Sequence, residues 1–131
     1  MITVTAKDAL RTAQLTAGWK QGKCVSHEET TAKDGSALHK FGVEVLAVEE
    51  GFPIPVPLQD YMISEKAVSM GKAFFIACGF PPEQWEALMK GEKTSVQIDP
   101  KSCVNKEFKV MVALDKYENR INMKAADFLP L

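Results

Sequence analysis

The feature that most constrains the fold of this chain is an Asp34-Gly35 pair between two runs rich in Val, Thr, Phe and Trp. The first run extends over residues 19–31 and the second over residues 37–48. An Asp-Gly pair in this setting is the strongest short-range signal of a β-hairpin that a sequence offers. The sequence therefore predicts a long, bent hairpin of the kind from which small barrels are built.

The second run alternates as a half-buried strand does. Phe41, Val43 and Val45 fall on one face, and Lys40 and Glu44 fall on the other. The last third of the chain repeats this pattern over residues 107–114, followed by a second hairpin turn over 117–120 and a return arm over 120–124. A further short strand is predicted over residues 96–98.

The middle of the chain has helical signals. Ser64 is a good N-cap for a helix that Gly79 ends, and the Pro81-Pro82 pair starts a second helix that ends at Gly91. The predicted domain spans residues 1–131, with an N-terminal arm over 1–17 and a helical insertion over 64–91. The fold class is mostly β (α+β), a barrel-like domain of about five strands with an inserted helical hairpin.

The segment from Phe52 to Leu58 alternates proline with large apolar residues. Each proline removes a backbone donor, so this segment is not a central strand. The favoured interpretation is a connector that covers an edge of the sheet. The alternative is a docking peptide for another protein.

Composition narrows the class of protein. The chain has 131 residues, of which 46% are hydrophobic and 25% charged, as in an ordinary soluble domain. It has no apolar run of membrane-spanning length, and its net charge of −1 creates no general basic field. The three cysteines are odd in number and widely spaced, which favours reduced thiols and a cytoplasmic location.

Motifs for catalysis are missing. The chain has no phosphate-binding loop, no nucleophile elbow and no His-Glu-x-x-His sequence. Cys24-x-x-His27 has one spacing that zinc accepts, and His39, Cys78 or Cys103 could complete such a site. Strand alternation would place Cys24 and His27 on opposite faces, so buried cysteine and surface histidine are the favoured interpretation. No catalytic residue, metal or cofactor is predicted.

Cations interleaved with aromatic residues on the two hairpins point to a binding module. Cations follow the phosphates of a single strand and rings stack on its bases, at roughly 1–3 kcal/mol per stacked base. The competing interpretation is that these lysines only solvate the outer strand faces. The candidate binding residues are Trp19, Lys20, Lys23, Lys33, Lys40, Lys109, Tyr117 and Arg120.

The order and spacing of several short motifs resemble a family of small phage- and prophage-encoded single-stranded DNA-binding proteins, found with recombination and replication genes. The motifs are Gly18-Trp19, the turn over 31–36, Val43-Glu44-Val45, Ser64-Glu65-Lys66-Ala67, Ala77-Cys78-Gly79-Phe80, Phe108-Lys109-Val110, the pattern over 117–122 and Phe128-Leu129-Pro130. The resemblance implies an oligonucleotide/oligosaccharide-binding (OB) fold and a role in protecting or handing over single-stranded DNA. Unlike many single-strand binders, the chain ends without an acidic tail.

The first hypothesis is therefore a non-catalytic single-stranded DNA-binding protein of phage replication or recombination, acting in the cytoplasm of a bacterial host and binding across the concave face of the barrel. Replication or recombination proteins and a second copy of the chain are further candidate partners, and no membrane partner is expected. The alternative is a protein–protein interaction module that modulates a host or replication factor.

Overall fold

The computed structural model describes residues 1–131 as a mostly β, α+β fold. The helices are α1 (Ala6–Leu10), α2 (Lys72–Ala77) and α3 (Pro82–Met89). The strands are β1 (Gly18–Thr31), β2 (Ala37–Val45), β3 (Val56–Pro57), β4 (Tyr61–Ser64), β5 (Glu107–Tyr117) and β6 (Arg120–Leu129). They form one antiparallel sheet in the order β3-β2-β1-β5-β6, with β4 also pairing with β2.

The first predicted hairpin is confirmed. Thr31 of β1 pairs with Ala37 of β2, and Gly35 in the intervening turn has a φ of 87°. The carboxylate of Asp34 accepts a hydrogen bond from the N–H of Ser36 at 2.9 Å and another from its hydroxyl at 2.6 Å. The turn is therefore held by a side chain bonding to nearby backbone and by a glycine in the left-handed region, as its sequence predicts.

Strand β1 joins the two halves of the sheet. Residues 18–23 pair with β5, and residues 22–31 pair with β2. A bulge between Cys24 and Ser26 shifts the register by one residue. Because a bulge breaks the period of two, Cys24 opposite Val43 and His27 opposite Phe41 both lie on the core face. The expectation that Cys24 and His27 lie on opposite faces is therefore wrong.

The core lies between the inner face of the sheet and α2. The ring of Phe74 lies 4.7 Å from that of Phe41, 5.0 Å from that of Phe128 and 5.9 Å from that of Phe108, measured between centroids. All four rings are buried, and aromatic pairs at these distances add to the free energy of burial. Helix α2 of the insertion thus covers the inner face of the sheet.

The insertion differs from its prediction in one respect. The hydroxyl of Ser64 accepts a hydrogen bond from the N–H of Lys66 at 3.2 Å, as an N-cap does. The segment that follows, Glu65–Gly71, is 3₁₀-helical, with Ala67 outside helical geometry at a φ of −128°. Regular α-helix begins only at Lys72, and Gly79 ends it with a φ of 111°. The second helix, α3, is confirmed.

The closed five-stranded barrel is not observed. The sheet has six strands, two of which, β3 and β4, are short and are separated by residues 58–60. No strand pairing joins β6 to either piece, although the N–H of Gln59 donates to the carbonyl of Met123 at 2.8 Å. The sheet therefore stays open along this side.

The strand predicted over residues 96–98 is also wrong. Val96 and Ile98 are half-buried, and Ile98 packs against the core, but these residues pair with no strand. Both edges that β5 presents are already occupied, by β1 and by β6. The segment therefore packs against the core through Ile98, and its backbone forms no strand pairing.

The proline segment and the N-terminus both pack onto the sheet. Val56, Pro57 and Leu58 are buried, and β3 is an edge strand, so the prediction of a connector covering an edge is confirmed.

At the N-terminus the Thr5 and Asp8 side chains form a reciprocal capping box at the start of α1. None of the helices is long and apolar enough to cross a membrane.

Candidate nucleic-acid interface

The outer face of the sheet brings together five of the eight candidate binding residues. Strand β5 alternates, with Phe108, Val110 and Val112 buried against the core and the residues between them pointing outward. Trp19 pairs with Met111, Lys23 pairs with Glu107, and Tyr117 pairs with Arg120. Because directly paired residues share a face, the outer face carries Trp19, Lys23, Lys109, Tyr117 and Arg120.

Two aromatic side chains on this outer face are open to solvent. Trp19 is 42% exposed and Tyr117 is 62% exposed. Met111 lies opposite Trp19, and Tyr117 follows it six positions along β5. This spacing corresponds to roughly 20 Å along the strand. The spacing of the two rings leaves room between them for several nucleotides.

The cations of the outer face differ in their surroundings. Lys109 and Arg120 form no ion pair, and Lys109 lies opposite Gln21 and Leu129. Lys124, by contrast, is paired with Asp115 at 2.6 Å. An unpaired exposed cation can exchange its counterions for a phosphate without first breaking a protein contact.

Lys23 is less favourably placed for an anion. It lies opposite Glu44 on one side and Glu107 on the other. These carboxylates lower the local potential, although Glu44 is itself paired with Lys7 at 3.6 Å. Lys23 therefore belongs to the outer face but lies at its acidic end.

Lys20 does not belong to the interface. Its ammonium group bonds to the carboxylate of Glu50 and to the hydroxyl of Thr16, and its side chain is only 7% exposed. Thr16 donates its N–H to the same carboxylate at 2.9 Å. These donors hold the pKa of the Glu50 carboxyl below its usual value, Lys20 contributing most. The sequence marks Lys20 as a surface cation, but the fold uses it as a structural one.

Lys33 and Lys40 lie away from the other candidates, toward the far end of β1. Lys33 is exposed in the turn between β1 and β2, and Lys40 lies between Glu28 and Met62 on the outer face. The structure therefore does not bring these two lysines together with Trp19 and Tyr117.

A cleft of about 670 Å³ adjoins the second hairpin where the sheet stays open. It lies between the end of α1, residues 57–59 and the start of β6. Both arginines of the chain, Arg11 and Arg120, line it, and no carboxylate does. Arginine presents a rigid fork of donors suited to phosphate. Arg11 was not among the binding residues predicted from the sequence. Only two of the 16 cations are arginines, and this rarity was a signal that could have singled out Arg11.

Four amide side chains, with the hydroxyl of Thr12, supply the remaining polar lining of this arginine cleft. The amides belong to Gln14, Gln59, Asn119 and Asn122. Amides both donate and accept hydrogen bonds, so they suit base edges and sugars as well as phosphates. The positive charge of the two arginines repels cations and attracts an anionic polymer.

The inner face of β1, β2 and β5 carries the hydrophobic core and is not available to a DNA strand. Phe41, Phe74 and Phe108 fill it and are completely buried. A nucleic-acid strand bound to the sheet would therefore lie on the outer face or along the open side.

Comparison with known proteins assigns no family. No family model matches the chain, and no curated protein sequence matches it.

Proposed function

We propose that this protein binds single-stranded DNA without catalysis, across the outer face of β1, β5 and β6. The observation that carries the proposal is the placement of two exposed rings, Trp19 and Tyr117, on one face with the unpaired cations Lys109 and Arg120. Stacking on rings and charge contacts to phosphates are the two interactions on which sequence-tolerant single-strand binding depends.

The strand connectivity supports an OB-type fold. A long, bulged first strand pairs with β2 along one half and with β5 along the other, and helices intervene between the third and fourth positions of the barrel order. In this correspondence β3 and β4 together take the place of one strand. The hydrogen bond from Gln59 to Met123 marks the line along which the barrel would close.

The arginine cleft extends the binding surface. Arg120 lies opposite Tyr117 on the outer face and also lines the cleft, so a strand stacked on Tyr117 would have its next phosphates near Arg120 and Arg11. A path from Trp19 over Tyr117 to Arg11 fits the range of about 4–16 nucleotides that one domain of this kind covers.

The resemblance to phage single-strand binders extends the proposal to a biological role. A protein of this kind would protect single-stranded DNA, or hand it over, during phage replication or recombination. The net charge of −1 is compatible with such binding, because Lys109 and Arg120 form no ion pair, whereas the carboxylates of Asp115 and Glu50 are held in ion pairs.

Fluorescence anisotropy tests the proposal directly. A labelled oligo-dT of about 30 nucleotides, long enough to span one or more sites of this class, is titrated with the protein at two salt concentrations. Binding should be tight, should weaken steeply with salt, and should resist competition by duplex DNA. Absence of binding at low salt, or full competition by duplex, would overturn the proposal.

The two tryptophans allow the site to be located in the same experiment. In a Trp85→Phe variant the indole of Trp19 is the only tryptophan, and oligo-dT should quench its fluorescence. In a Trp19→Phe variant Trp85 is the reporter, and it should not respond, because it lies on α3, away from the outer face. A response of Trp85 with none from Trp19 would move the interface to the helical insertion.

A further inference from the structure

A cluster of metal-ligating side chains lies on the other half of the sheet, apart from the proposed DNA interface. It comprises Glu29, His39 and Glu65, whose ligand atoms all lie within 4.8 Å of one another. Glu29 pairs directly with His39 across β1 and β2, and Glu65 follows the end of β4, the strand on the other side of β2. Three separate elements therefore converge on one point.

The distances within the cluster suit an ion better than direct contacts. The Nε2 of His39 lies 3.9 Å from a carboxylate oxygen of Glu29 and 3.7 Å from one of Glu65, beyond hydrogen-bonding range. Ligand atoms bound tetrahedrally to zinc at about 2.1 Å are separated by roughly 3.4 Å. The two distances from His39 to the carboxylates exceed that separation by only a few tenths of an ångström, and both glutamates are exposed enough to move.

His27 orients the ring of His39. The Nε2 of His27 lies 2.8 Å from the Nδ1 of His39, and the two rings stack with centroids 5.1 Å apart. When His39 donates its Nδ1–H to His27, the lone pair on its Nε2 points toward the two carboxylates. A second hydrogen bond of this kind is what usually fixes the tautomer of a metal-bound histidine.

The surroundings limit access to the cluster. The side chain of His39 is 14% exposed, whereas those of Glu29 and Glu65 are 60% and 61% exposed. His39 and Glu65 also line a cavity of about 380 Å³ whose other walls include Ile63, Val68 and Phe75. An ion here would have one side toward solvent and one side toward an apolar cavity, with a coordination position free for water or another ligand.

We propose that His39, Glu29 and Glu65 bind a divalent transition-metal ion of the zinc class. One imidazole nitrogen and two carboxylate oxygens are ligands that Zn²⁺ accepts. The two carboxylates have a combined charge of −2, which balances the charge of the ion. The register of three strands and the hydrogen bond from His39 to His27 assemble the site. It is independent of the proposed DNA interface.

Calorimetric titration with Zn²⁺ and optical titration with Co²⁺ test the site on the full chain after treatment with a chelator. One ion should bind per chain. Glu29→Gln and Glu65→Gln should each weaken binding about 10-fold or more. Glu28→Gln is the matched control, since Glu28 lies on the outer face opposite Lys40 and its loss should leave the affinity unchanged. Because Glu29 and Glu65 are exposed, their variants should fold normally.

His27→Phe tests the orienting hydrogen bond. The variant keeps an aromatic ring against Phe41, whose centroid lies 5.1 Å from that of His27, but removes the acceptor. Zn²⁺ affinity should fall by roughly 10- to 100-fold, and the ¹⁵N shift of the His39 Nδ1 should move. Failure of the wild-type chain to bind Zn²⁺, equal affinity in the glutamate variants, or a thiolate charge-transfer band with Co²⁺ would overturn the proposal.

Discussion

The ammonium group of Lys20 and the carboxylate of Glu50 form a largely buried ion pair that ties the start of β1 to the 3₁₀ turn after β2. Thr16 adds its N–H and its hydroxyl to the same carboxylate, at 2.9 Å and 2.8 Å. This carboxylate therefore has a partner for each oxygen. The pair explains why a lysine that the sequence assigns to DNA binding is a structural residue.

Glu50→Gln should lower the free energy of unfolding at pH 7 by about 1–3 kcal/mol, because charged hydrogen bonds to Lys20 and Thr16 are lost. The folded-state pKa of Glu50 is lowered, so its stabilising effect is present above the unfolded pKa of about 4.3 and is lost as the pH falls through the lower folded value. Urea denaturation at pH 7 and pH 3 should show the difference between wild type and variant shrinking at the lower pH. An equal difference at both values would contradict this account.

Lys109→Gln and Arg120→Gln should each reduce the salt dependence of oligo-dT binding. Each phosphate contact on a single strand contributes about 0.7 to the slope of log K against log salt. Lys20→Gln should leave that slope unchanged, because its ammonium is already paired with Glu50. A flattened slope in the Lys20 variant alone would show that the interface lies elsewhere.

Trp19→Ala and Tyr117→Ala should each weaken oligo-dT binding by about 1–3 kcal/mol, the usual range for one stacked base. The slope against salt should stay the same, because no phosphate contact is lost. Phe80→Ala is the control, since this half-buried ring packs against Trp85 with centroids 6.2 Å apart and lies outside the interface. Loss of binding in the Phe80 variant with full binding in the other two would contradict the assignment.

Gly22→Ala should destabilise the fold by about 1–3 kcal/mol, because an added methyl group would overpack the core. Its Cβ would lie 2.7 Å from a methyl of Val110 and 3.3 Å from the carbonyl oxygen of Glu44. Gly42→Ala is the comparison, since the added methyl group there would mainly meet the hydroxyl of Ser26, which can rotate away. Thermal denaturation should rank Gly22→Ala below Gly42→Ala, and the reverse order would contradict the packing described for β1.

The thiols of the native protein should react slowly with a disulfide reagent at pH 8. Cys24, Cys78 and Cys103 are all buried, and burial raises the pKa of the Cys24 thiol to about 11. A hydrogen bond with Cys103, together with burial, also raises the pKa of Cys78. The same hydrogen bond lowers the pKa of Cys103, which is protected from the reagent by its burial. Thiolate is the reactive form and must also be accessible, so labelling should follow global unfolding, and all three thiols should react at once in denaturant. Rapid labelling of one native thiol would contradict this.

Local sequence signals predicted most of the strands and helices. The Asp34-Gly35 turn and the alternation through Phe108 to Leu114 each depend on residues within a few positions of one another. Such signals reflect backbone preferences and the period of a strand. Tertiary contacts rarely override these local preferences when the preferences agree with one another. The antiparallel hairpins and the helical insertion between them followed from these signals.

The candidate sites depended on tertiary structure. Pairing with β5 and β6 decided that Trp19 and Tyr117 share a face, and the open side of the sheet decided that Arg11 and Arg120 line one cleft. The bulge after Cys24 decided which face receives His27. Sequence by itself determined the elements and their alternation, because these are local. Only the tertiary structure decided which side chains meet, because that depends on register and on which edges of the sheet remain unpaired.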